Sequence, residues 1–453
     1  MEVEARPTSH TPSDSQAIID IGSLIDQTSW PLLAKVYVLM AALAVLLDGY
    51  DNQVLGFALP AMIADWHAAR SLFSPVVAIG LIGVGLGAGL GGLVGDRIGR
   101  KLALIGSVVL FAVATGAVAW IHDIPPLLVL RLLGGIGIGG VFPNAAALAA
   151  EFSPQKNRPM AVALTIVCVP LGGMIGGLIA AVVLPAFGWR ALFILGGAAP
   201  LAMAAFLLWG LPESPRFLAR RPERFADLAK LMKRFGHGVP AHVKFIDLTE
   251  VSDAKRPGLS AIFSPYYFHD TLILWGAFFF NLFAVYSVFN WAPALMTSMG
   301  LDLANASRTV AAYNFGAVIG AVACAWLIGR FGSRISMVLM TLLAAGCAAI
   351  LSFLSQGHPN VQDLTIWMAL HGLFTNGAQT TLYSLSAHIY KADVRTTGSG
   401  TALAIGRIGA IVGSFGGAAL VDAGGPRYFA VLTVALVGTA TCLALIRRHI
   451  PRA

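Results

Sequence analysis

The sequence predicts an all-α integral membrane protein with twelve transmembrane helices in two pseudo-symmetric six-helix bundles. Three observations predict this class. Hydrophobic residues make up 57% of the 453 residues and charged residues only 11%, whereas about a quarter of the residues in a soluble domain are charged. Apolar runs of about 20 residues, each long enough to cross a bilayer as a helix, recur along the chain. One long polar segment separates these runs into two sets of six.

The twelve predicted spans follow one another through short polar connections. The first ~30 residues are polar and lack the cationic start and apolar core of a signal peptide. We therefore expect an N-terminal tail over 1–32, a first bundle over 33–211, a linker over 212–268, a second bundle over 269–447 and a C-terminal tail over 448–453. The spans themselves are expected at about 33–60, 73–95, 102–121, 126–150, 160–184, 190–210, 270–298, 307–328, 335–355, 362–388, 397–420 and 428–446.

Lys and Arg concentrate in both tails and in the loops on the same side of the predicted bundle. This asymmetry follows the positive-inside rule and predicts that both termini lie in the cytoplasm. We expect the protein in the bacterial inner (plasma) membrane. It also accounts for the net charge of +8, so we expect a lipid bilayer and no nucleic acid as a partner. We expect a functional monomer.

No pattern in the sequence supports an enzyme. The four cysteines lie within predicted spans without metal-ligand spacing, and the histidines are scattered. We therefore expect no metal, no cofactor and no catalytic residues. Gly87, Gly89 and Gly92 formally match the dinucleotide fingerprint, but they lie within a span without a preceding strand. Close helix packing explains them better.

The linker contains one candidate helix. Phe225, Leu228, Met232 and Phe235 follow helical spacing, and Gly236 is a plausible stop. This pattern predicts a short amphipathic helix at the cytoplasmic face. We favour a solvated linker helix over the alternative of a regulatory site.

The two halves align with each other. Residues 60–62 (PAM) align with 293–295 (PAL), and residues 97–99 (RIG) align with 330–332 (RFG). An internal repeat with a central linker is typical of a transporter in which one half rocks against the other around a substrate near the membrane midplane. The repeat therefore favours a transporter over a receptor or a structural membrane protein.

Charges inside the predicted spans do not repeat, although the scaffold does. The position of Asp48 aligns with Asn281, and that of Asp51 aligns with Ala284. Arg131 and Arg407 likewise align with uncharged residues. Because a charge within the hydrocarbon layer is costly, the unrepeated charges are candidates for function.

Asp48 and Asp51 are three residues apart on the first span, so they lie on one helix face. Two neighbouring carboxylates in a buried site resist joint ionisation, and such a pair takes up protons as a coupled unit. We therefore predict that this pair carries protons. The alternative is that both aspartates only form fixed ion pairs with Arg131 or Arg407.

An arginine can bind a substrate carboxylate through a bidentate fork. Arg407 is expected near the midplane in the half that lacks the aspartates, and it is the first choice for this role. Arg131 could bind the carboxylate instead, or could pair with Asp51. Polar and aromatic side chains suited to a flat ring lie on neighbouring spans and are further substrate-binding candidates: Asn144, Trp291, Tyr313, Asn314, Asn376, Gln379 and Tyr383.

Several motifs resemble those of one transporter superfamily. The loop between spans two and three reads GLVGDRIGRK over residues 92–101, and span six is followed by LPESPR over residues 211–216. These segments resemble signature motifs of the major facilitator superfamily. The segments DGYD (48–51), GGVFPNAAALAAE (139–151) and RTTG (395–398) followed by IGRIGA (405–410) resemble motifs of its aromatic acid:proton symporter family.

The resemblance implies the major facilitator fold and import of a benzoate- or hydroxybenzoate-like anion with protons. It also implies that the first-helix aspartates are needed and that Asp96, Arg131, Glu151, Arg395 and Arg407 are important. For Asp96, Arg100, Glu151, Arg158 and Arg395 we infer a cytoplasmic gate, a charge network that holds the outward-facing state. Two alternatives stay open: import of another organic acid or a polyol, and a substrate sensor without net transport.

Overall fold

The computed structural model describes residues 17–27, 29–238, 243–247, 259–357 and 360–452. Predictions for residues 1–16 of the tail and 248–258 of the linker fall outside the described residues. The described chain is almost entirely helical because its long apolar segments satisfy every backbone polar group internally as helices.

The N-terminal half begins with a short strand and a short helix and continues with long helices that run across the bundle. Two short helices of the linker follow. In order, these elements are β1 (Ala17–Asp20), α1 (Ile21–Asp26), α2 (Leu32–Trp66), α3 (Ser74–Ile98), α4 (Arg100–Ala117), α5 (Ile124–Glu151), α6 (Arg158–Gly210), α7 (Pro215–Ala219) and α8 (Phe225–Arg234). Single 3₁₀ turns occupy Arg70–Phe73, Val118–Trp120 and Pro222–Arg224.

The C-terminal half is preceded by a second linker strand and a 3₁₀ turn at Leu259–Phe263. Its elements are β2 (Val243–Ile246), α9 (Phe268–Ser298), α10 (Leu303–Phe331), α11 (Ser333–Leu354), α12 (Val361–Ile389), α13 (Ala392–Asp422) and α14 (Gly425–Leu445). We call the face where α2 begins and α14 ends the terminal face, and the other the opposite face.

The structure accounts for all twelve predicted spans. Among the described residues, ten helices are long and apolar enough to cross a membrane. One of them, α6, has 53 residues and is broken at Gly188, whose φ of 74° is not helical, so it supplies two spans. The twelfth is α12, whose asparagine, glutamine and threonine side chains lower its hydropathy.

Glycine permits the closest helix contacts in both halves. A Cβ at Gly87 of α3 would collide with the Ile136 carbonyl group of α5, and a Cβ at Gly320 of α10 would collide with that of Leu373 on α12. These glycines occupy aligned positions of the repeat. By contrast, Gly89 faces open space. Helix packing therefore explains Gly87, but the expectation from the sequence was wrong for Gly89 and Gly92, since an added Cβ would meet nothing within 4 Å at either position.

The linker and the N-terminal segment form a small cap on the terminal face. Strand β1 pairs in parallel with β2, and α8 buries Leu228, Leu231 and Met232 against the N-terminal half. The sequence analysis anticipated α8 but not the strand pair, because four-residue strands separated by more than 200 residues leave no periodic signal.

Candidate functional site

The two aspartates of α2 lie in the interior of the bundle. Asp48 is 4% exposed and Asp51 is fully buried. Within the described part of the chain, Asp48 Oδ1 and both carboxylate oxygens of Asp51 form no hydrogen bond. Since a buried polar group without a partner is costly, these oxygens are poised for a proton or an incoming donor.

Asp51 faces the cation of the N-terminal half. Arg131 of α5 acts on the Asp51 carboxylate through its charge, and the Thr115 hydroxyl of α4 lies close enough to interact with it. Asp48 adds a like charge nearby. Arg131 also lines a cavity of about 30 Å³ with Asn52 and Asn290, and such a volume can hold a water molecule. The structure thus brings Asp51 and Arg131 together without a direct hydrogen bond.

Asp48 faces the cation of the other half. Arg407 of α13 lies within electrostatic range of Asp48 and Tyr383. Its Nη1 donates a hydrogen bond of 2.9 Å to the Tyr286 hydroxyl, and its guanidinium centre lies 5.7 Å from the centre of the Tyr286 ring. Tyr286 therefore holds Arg407 in place at the interface between the halves, opposite Asp48.

An amide pair lies beside this cation. Asn281 Nδ2 donates a hydrogen bond of 2.6 Å to Gln379 Oε1, and Gln379 faces the Tyr383 hydroxyl one helical turn further along α12. The sequence analysis named Gln379 and Tyr383 but not Asn281 or Tyr286 as site residues. A signal existed for Asn281, because it is the repeat counterpart of Asp48 and an amide within an apolar span.

Two predicted ring-binding residues instead pack between helices. Trp291 is fully buried, and its Nε1 donates a hydrogen bond of 2.7 Å to the Ser414 carbonyl oxygen. Asn144 Nδ2 donates hydrogen bonds of 2.9 Å to the carbonyl oxygens of Gly91 and Gly140. In this conformation both side chains join neighbouring helices.

The remaining candidates lie in two places. Asn314 and Gln53 form a reciprocal amide pair across the halves, with hydrogen bonds of 3.0 and 2.8 Å. The Tyr313 ring packs between Phe289 and His371, with Asn376 on the same helix as that histidine. Asn314 therefore lies at the interface of the halves, whereas Tyr313 lies within the C-terminal half.

The predicted gate residues are only partly assembled. Arg100 forms an ion pair with Asp96, and its Nε lies 3.9 Å from Glu151 Oε1. Glu151 also accepts a hydrogen bond from the Ser214 hydroxyl. These contacts all lie within the N-terminal half and its following linker.

The other two predicted gate residues have different surroundings. Arg158 Nη2 lies 3.5 Å from Asp26 Oδ1, so its partner comes from the N-terminal segment. Arg395 is exposed on α13. The structure does not bring it to Glu151.

Two cavities lie between the halves. One of about 740 Å³ is reached from the terminal face and is lined by residues that include Arg158, Ile166 and Tyr383. The other, of about 700 Å³, lies toward the opposite face and is lined by residues that include Pro60 and Thr297. Tyr383 also lies within electrostatic range of Arg407. The first cavity therefore leads toward the charged centre, the group formed by Asp48, Asp51, Arg131 and Arg407.

Among the described residues no group of His, Cys, Asp and Glu side chains is arranged to hold a metal ion. A fixed cation and two carboxylates with unpaired oxygens can bind an anion and exchange protons.

Comparisons with known proteins agree with this architecture. The model of the Major Facilitator Superfamily matches residues 41–362 and 274–453. The 4-hydroxybenzoate transporter PcaK of Pseudomonas putida is 34% identical over 423 residues, which cover 93% of this chain and 94% of that protein. The gallate transporter of Pseudomonas putida is 33% identical over 408 residues, covering 90% of each chain.

A solved structure shows the same fold. The xylose transporter XylE from E. coli, in an inward open conformation, superposes with a TM-score of 0.72 at 20% sequence identity. The superposition covers 92% of this chain and 97% of that one. The twelve-span arrangement predicted from the sequence is thereby confirmed.

Proposed function

The chain belongs to the major facilitator superfamily, in its branch of aromatic acid transporters, and from this premise we propose that it imports an aromatic monocarboxylate together with protons. The expected substrate is a benzoate- or hydroxybenzoate-like anion. Relatives over 30% identical along nearly the whole chain are named as transporters of 4-hydroxybenzoate and gallate, which supports this substrate class. The family consists of transporters, so the chain is not an enzyme.

The observation that carries the proposal is that Asp48 of one half and Arg407 of the other lie within electrostatic range of each other. Arg407 can be neutralised either by the Asp48 carboxylate or by the carboxylate of a bound substrate. Two carboxylates beside one cation in a buried site are unfavourable unless one takes up a proton. Binding of the anion at Arg407 therefore favours protonation of Asp48. This link between anion binding and proton uptake couples the transport of the substrate to that of the proton.

Asp51 and Arg131 form the second charged pair of the proposal. They lie on the same half, so their separation does not depend on how the halves are arranged. Asp51 lies on the same helix face as Asp48. We assign Asp51 to proton transfer with Asp48, and Arg131 to balancing the charge of Asp51.

The two cavities between the halves support alternating access. The Lys and Arg distribution supports a terminal face in the cytoplasm, and the cavity beside Tyr383 is then the cytoplasmic exit. In the outward-facing state, the halves approach each other on that face. Arg395 then moves toward the network of Asp96, Arg100 and Glu151, whose acids lie on the N-terminal half.

Purified protein in liposomes tests the proposal directly. An inward proton gradient is expected to drive accumulation of labelled 4-hydroxybenzoate above equilibrium, and a protonophore is expected to abolish it. Binding without flux would instead support a sensor. Flux that equilibrates without responding to pH would contradict the proton coupling while leaving the substrate assignment intact.

A further inference from the structure

The charged centre of the structure has an uncharged neighbour whose hydrogen bonds are incomplete. Asn281 and Gln379 share one hydrogen bond, from Asn281 Nδ2 to Gln379 Oε1. Asn281 is fully buried and Gln379 is 7% exposed. Within the described residues, Asn281 Oδ1 and Gln379 Nε2 form no hydrogen bond of normal distance and angle, although the Tyr383 hydroxyl lies close enough to Gln379 to interact with it. One acceptor and one donor are therefore left unpaired in the same buried place.

This result does not depend on how the two amides are oriented. If both amides were rotated by half a turn, the shared hydrogen bond would reverse its direction. One carbonyl oxygen and one amide nitrogen would still be without a partner, because each amide carries both groups. The unpaired donor and acceptor are thus a property of the pair.

A second amide pair shows that the fold can satisfy such groups. Gln53 and Asn314, also buried and also from different helices, use both amides in two reciprocal hydrogen bonds of 3.0 and 2.8 Å. The Asn281–Gln379 pair lacks the second bond. Leaving a buried polar group unpaired is unfavourable, so a ligand that supplies the missing partners binds more tightly.

We propose that the Asn281–Gln379 pair recognises a hydroxyl group on the ring of the transported acid. A phenolic hydroxyl donates one hydrogen bond and accepts another, so it can donate to Asn281 Oδ1 and accept from Gln379 Nε2. The inference rests on the proposed function. It names hydroxylated aromatic acids as the preferred substrates of the same site.

The position of the pair relative to the carboxylate site suits this role. Gln379 lies one helical turn, about 6 Å along the helix axis, from Tyr383, and the Tyr383 hydroxyl lies within electrostatic range of Arg407. A benzoate ring whose carboxylate is bound at Arg407, beside Tyr383, is long enough to span the one helical turn from Tyr383 to Gln379. The ring would then pass Tyr383 and bring a para hydroxyl to the amides.

Selectivity follows from the chemistry of the pair. A site that hydrogen-bonds a hydroxyl group discriminates strongly against the analogue that lacks it, because its buried polar groups stay unpaired. Benzoate would leave both amide groups unpaired, whereas 4-hydroxybenzoate would satisfy them. Wild-type protein is therefore expected to prefer 4-hydroxybenzoate by at least roughly 10-fold in kcat/KM.

The test compares uptake of 4-hydroxybenzoate and benzoate by wild type, Gln379→Leu and Gln53→Leu in liposomes. Gln379→Leu is expected to lower the preference for 4-hydroxybenzoate roughly 10-fold or more, with benzoate uptake retained or improved. Gln53→Leu breaks the satisfied pair and is expected to change both substrates in proportion. An unchanged preference in Gln379→Leu would overturn the inference.

A second measurement needs no variant. Unlabelled benzoate, 4-methoxybenzoate and 4-hydroxybenzoate compete with labelled 4-hydroxybenzoate for wild-type protein. The methoxy compound can accept but not donate, so its affinity is expected between the other two. Equal competition by benzoate and 4-hydroxybenzoate would overturn the inference while leaving the proposed function standing, whereas no inhibition by any aromatic acid would remove the proposed function itself.

Discussion

Arg70 Nη1 and Asp422 Oδ1 lie 2.7 Å apart, and this ion pair joins the two halves at the opposite face. Arg70 belongs to the turn before α3, and Asp422 is the last residue of α13. On the terminal face, the ion pairs of Arg100 and Arg158 stay within the N-terminal half and its segment. In the described conformation, this ion pair therefore joins the two halves at the opposite face, whereas the ion pairs of Arg100 and Arg158 do not join them at the terminal face.

Breaking this ion pair is expected to shift the molecule toward the state that is open at the opposite face. Exposed ion pairs contribute about 0.2–1 kcal/mol, so Asp422→Asn should raise the open population by up to roughly 5-fold. The measurement is the rate at which an impermeant maleimide labels Thr297→Cys in the cavity of that face. Cys168, Cys324 and Cys347 are buried and should react slowly.

The matched control for this prediction is Asp65→Asn. Asp65 pairs with Arg190 at 3.0 Å, but both residues belong to the N-terminal half. Asp65→Asn combined with Thr297→Cys should be labelled at the same rate as Thr297→Cys alone. Exchanging the charges in an Arg70→Asp, Asp422→Arg double variant should restore slow labelling. If it does not, the ion pair does not hold the halves together at the opposite face.

Replacing Asp48 with Asn is expected to separate substrate movement from proton movement. The change leaves the side-chain shape and places an amide where the other half has Asn281. Arg407 keeps its charge, so a substrate anion can still bind. Uptake against a gradient should be lost, whereas exchange of labelled for unlabelled substrate across the membrane should persist.

The same pair of assays applies to Asp51→Asn. Both variants should lose the acceleration of uptake by acidic external pH. Uphill uptake that survived in either variant would exclude that aspartate as a proton carrier. Uphill uptake that survived in both would leave only the alternative in which the pair serves as fixed charges.

Substitutions around Arg407 are expected to weaken binding in a graded way. Arg407→Ala removes the cation and should abolish measurable binding of 4-hydroxybenzoate. Tyr286→Phe removes only the acceptor of the 2.9 Å hydrogen bond, so Kd should rise about 3- to 10-fold. Binding can be measured by calorimetry or by thermal shift of the purified protein.

Arg131→Lys is the comparison for this series. It keeps the charge opposite Asp51 and should change Kd less than Arg407→Lys, which loses the bidentate fork. Binding retained in Arg407→Ala but lost in Arg131→Ala would reverse the assignment. Arg131 would then be the carboxylate ligand.

Substitution by alanine is expected to lower the unfolding temperature at one of two neighbouring glycines and not at the other. Gly87→Ala places a methyl group against the Ile136 backbone of α5, whereas Gly89→Ala places it in open space. Overpacking costs about 1–3 kcal/mol, so the first variant should unfold several degrees below the parent and the second should not. Equal unfolding temperatures in detergent would contradict the packing role of Gly87.

The sequence predicted the charged part of the centre because an apolar background makes charges conspicuous. Asp48, Asp51, Arg131 and Arg407 stand out against long hydrophobic runs, and the repeat alignment shows that the scaffold does not need them. The sequence named the pairing of Asp51 with Arg131 as one possibility but could not choose among the pairings, since these depend on how α2, α5 and α13 are rotated about their axes.

The uncharged part was harder to predict. Mid-span amides and aromatic rings occur in many packing contacts, and sequence alone does not distinguish the Trp291 side chain that bonds Ser414 from the Tyr383 side chain that faces Arg407. Asn281 and Tyr286 were missed for this reason. The span with the most polar character, α12, carries Gln379, which indicates that low hydropathy within a span is itself informative.

The strand pair of β1 and β2 has a mechanical consequence. Residues 17–20 hold residues 243–246, and Asp26 fixes the same segment to the loop before α6 by accepting a hydrogen bond from the Gln155 backbone nitrogen. The first part of the linker, residues 243–246, is thus attached to the N-terminal half. Removing the first 20 residues would release it, so an N-terminal truncation made for expression is expected to alter the turnover of the transporter.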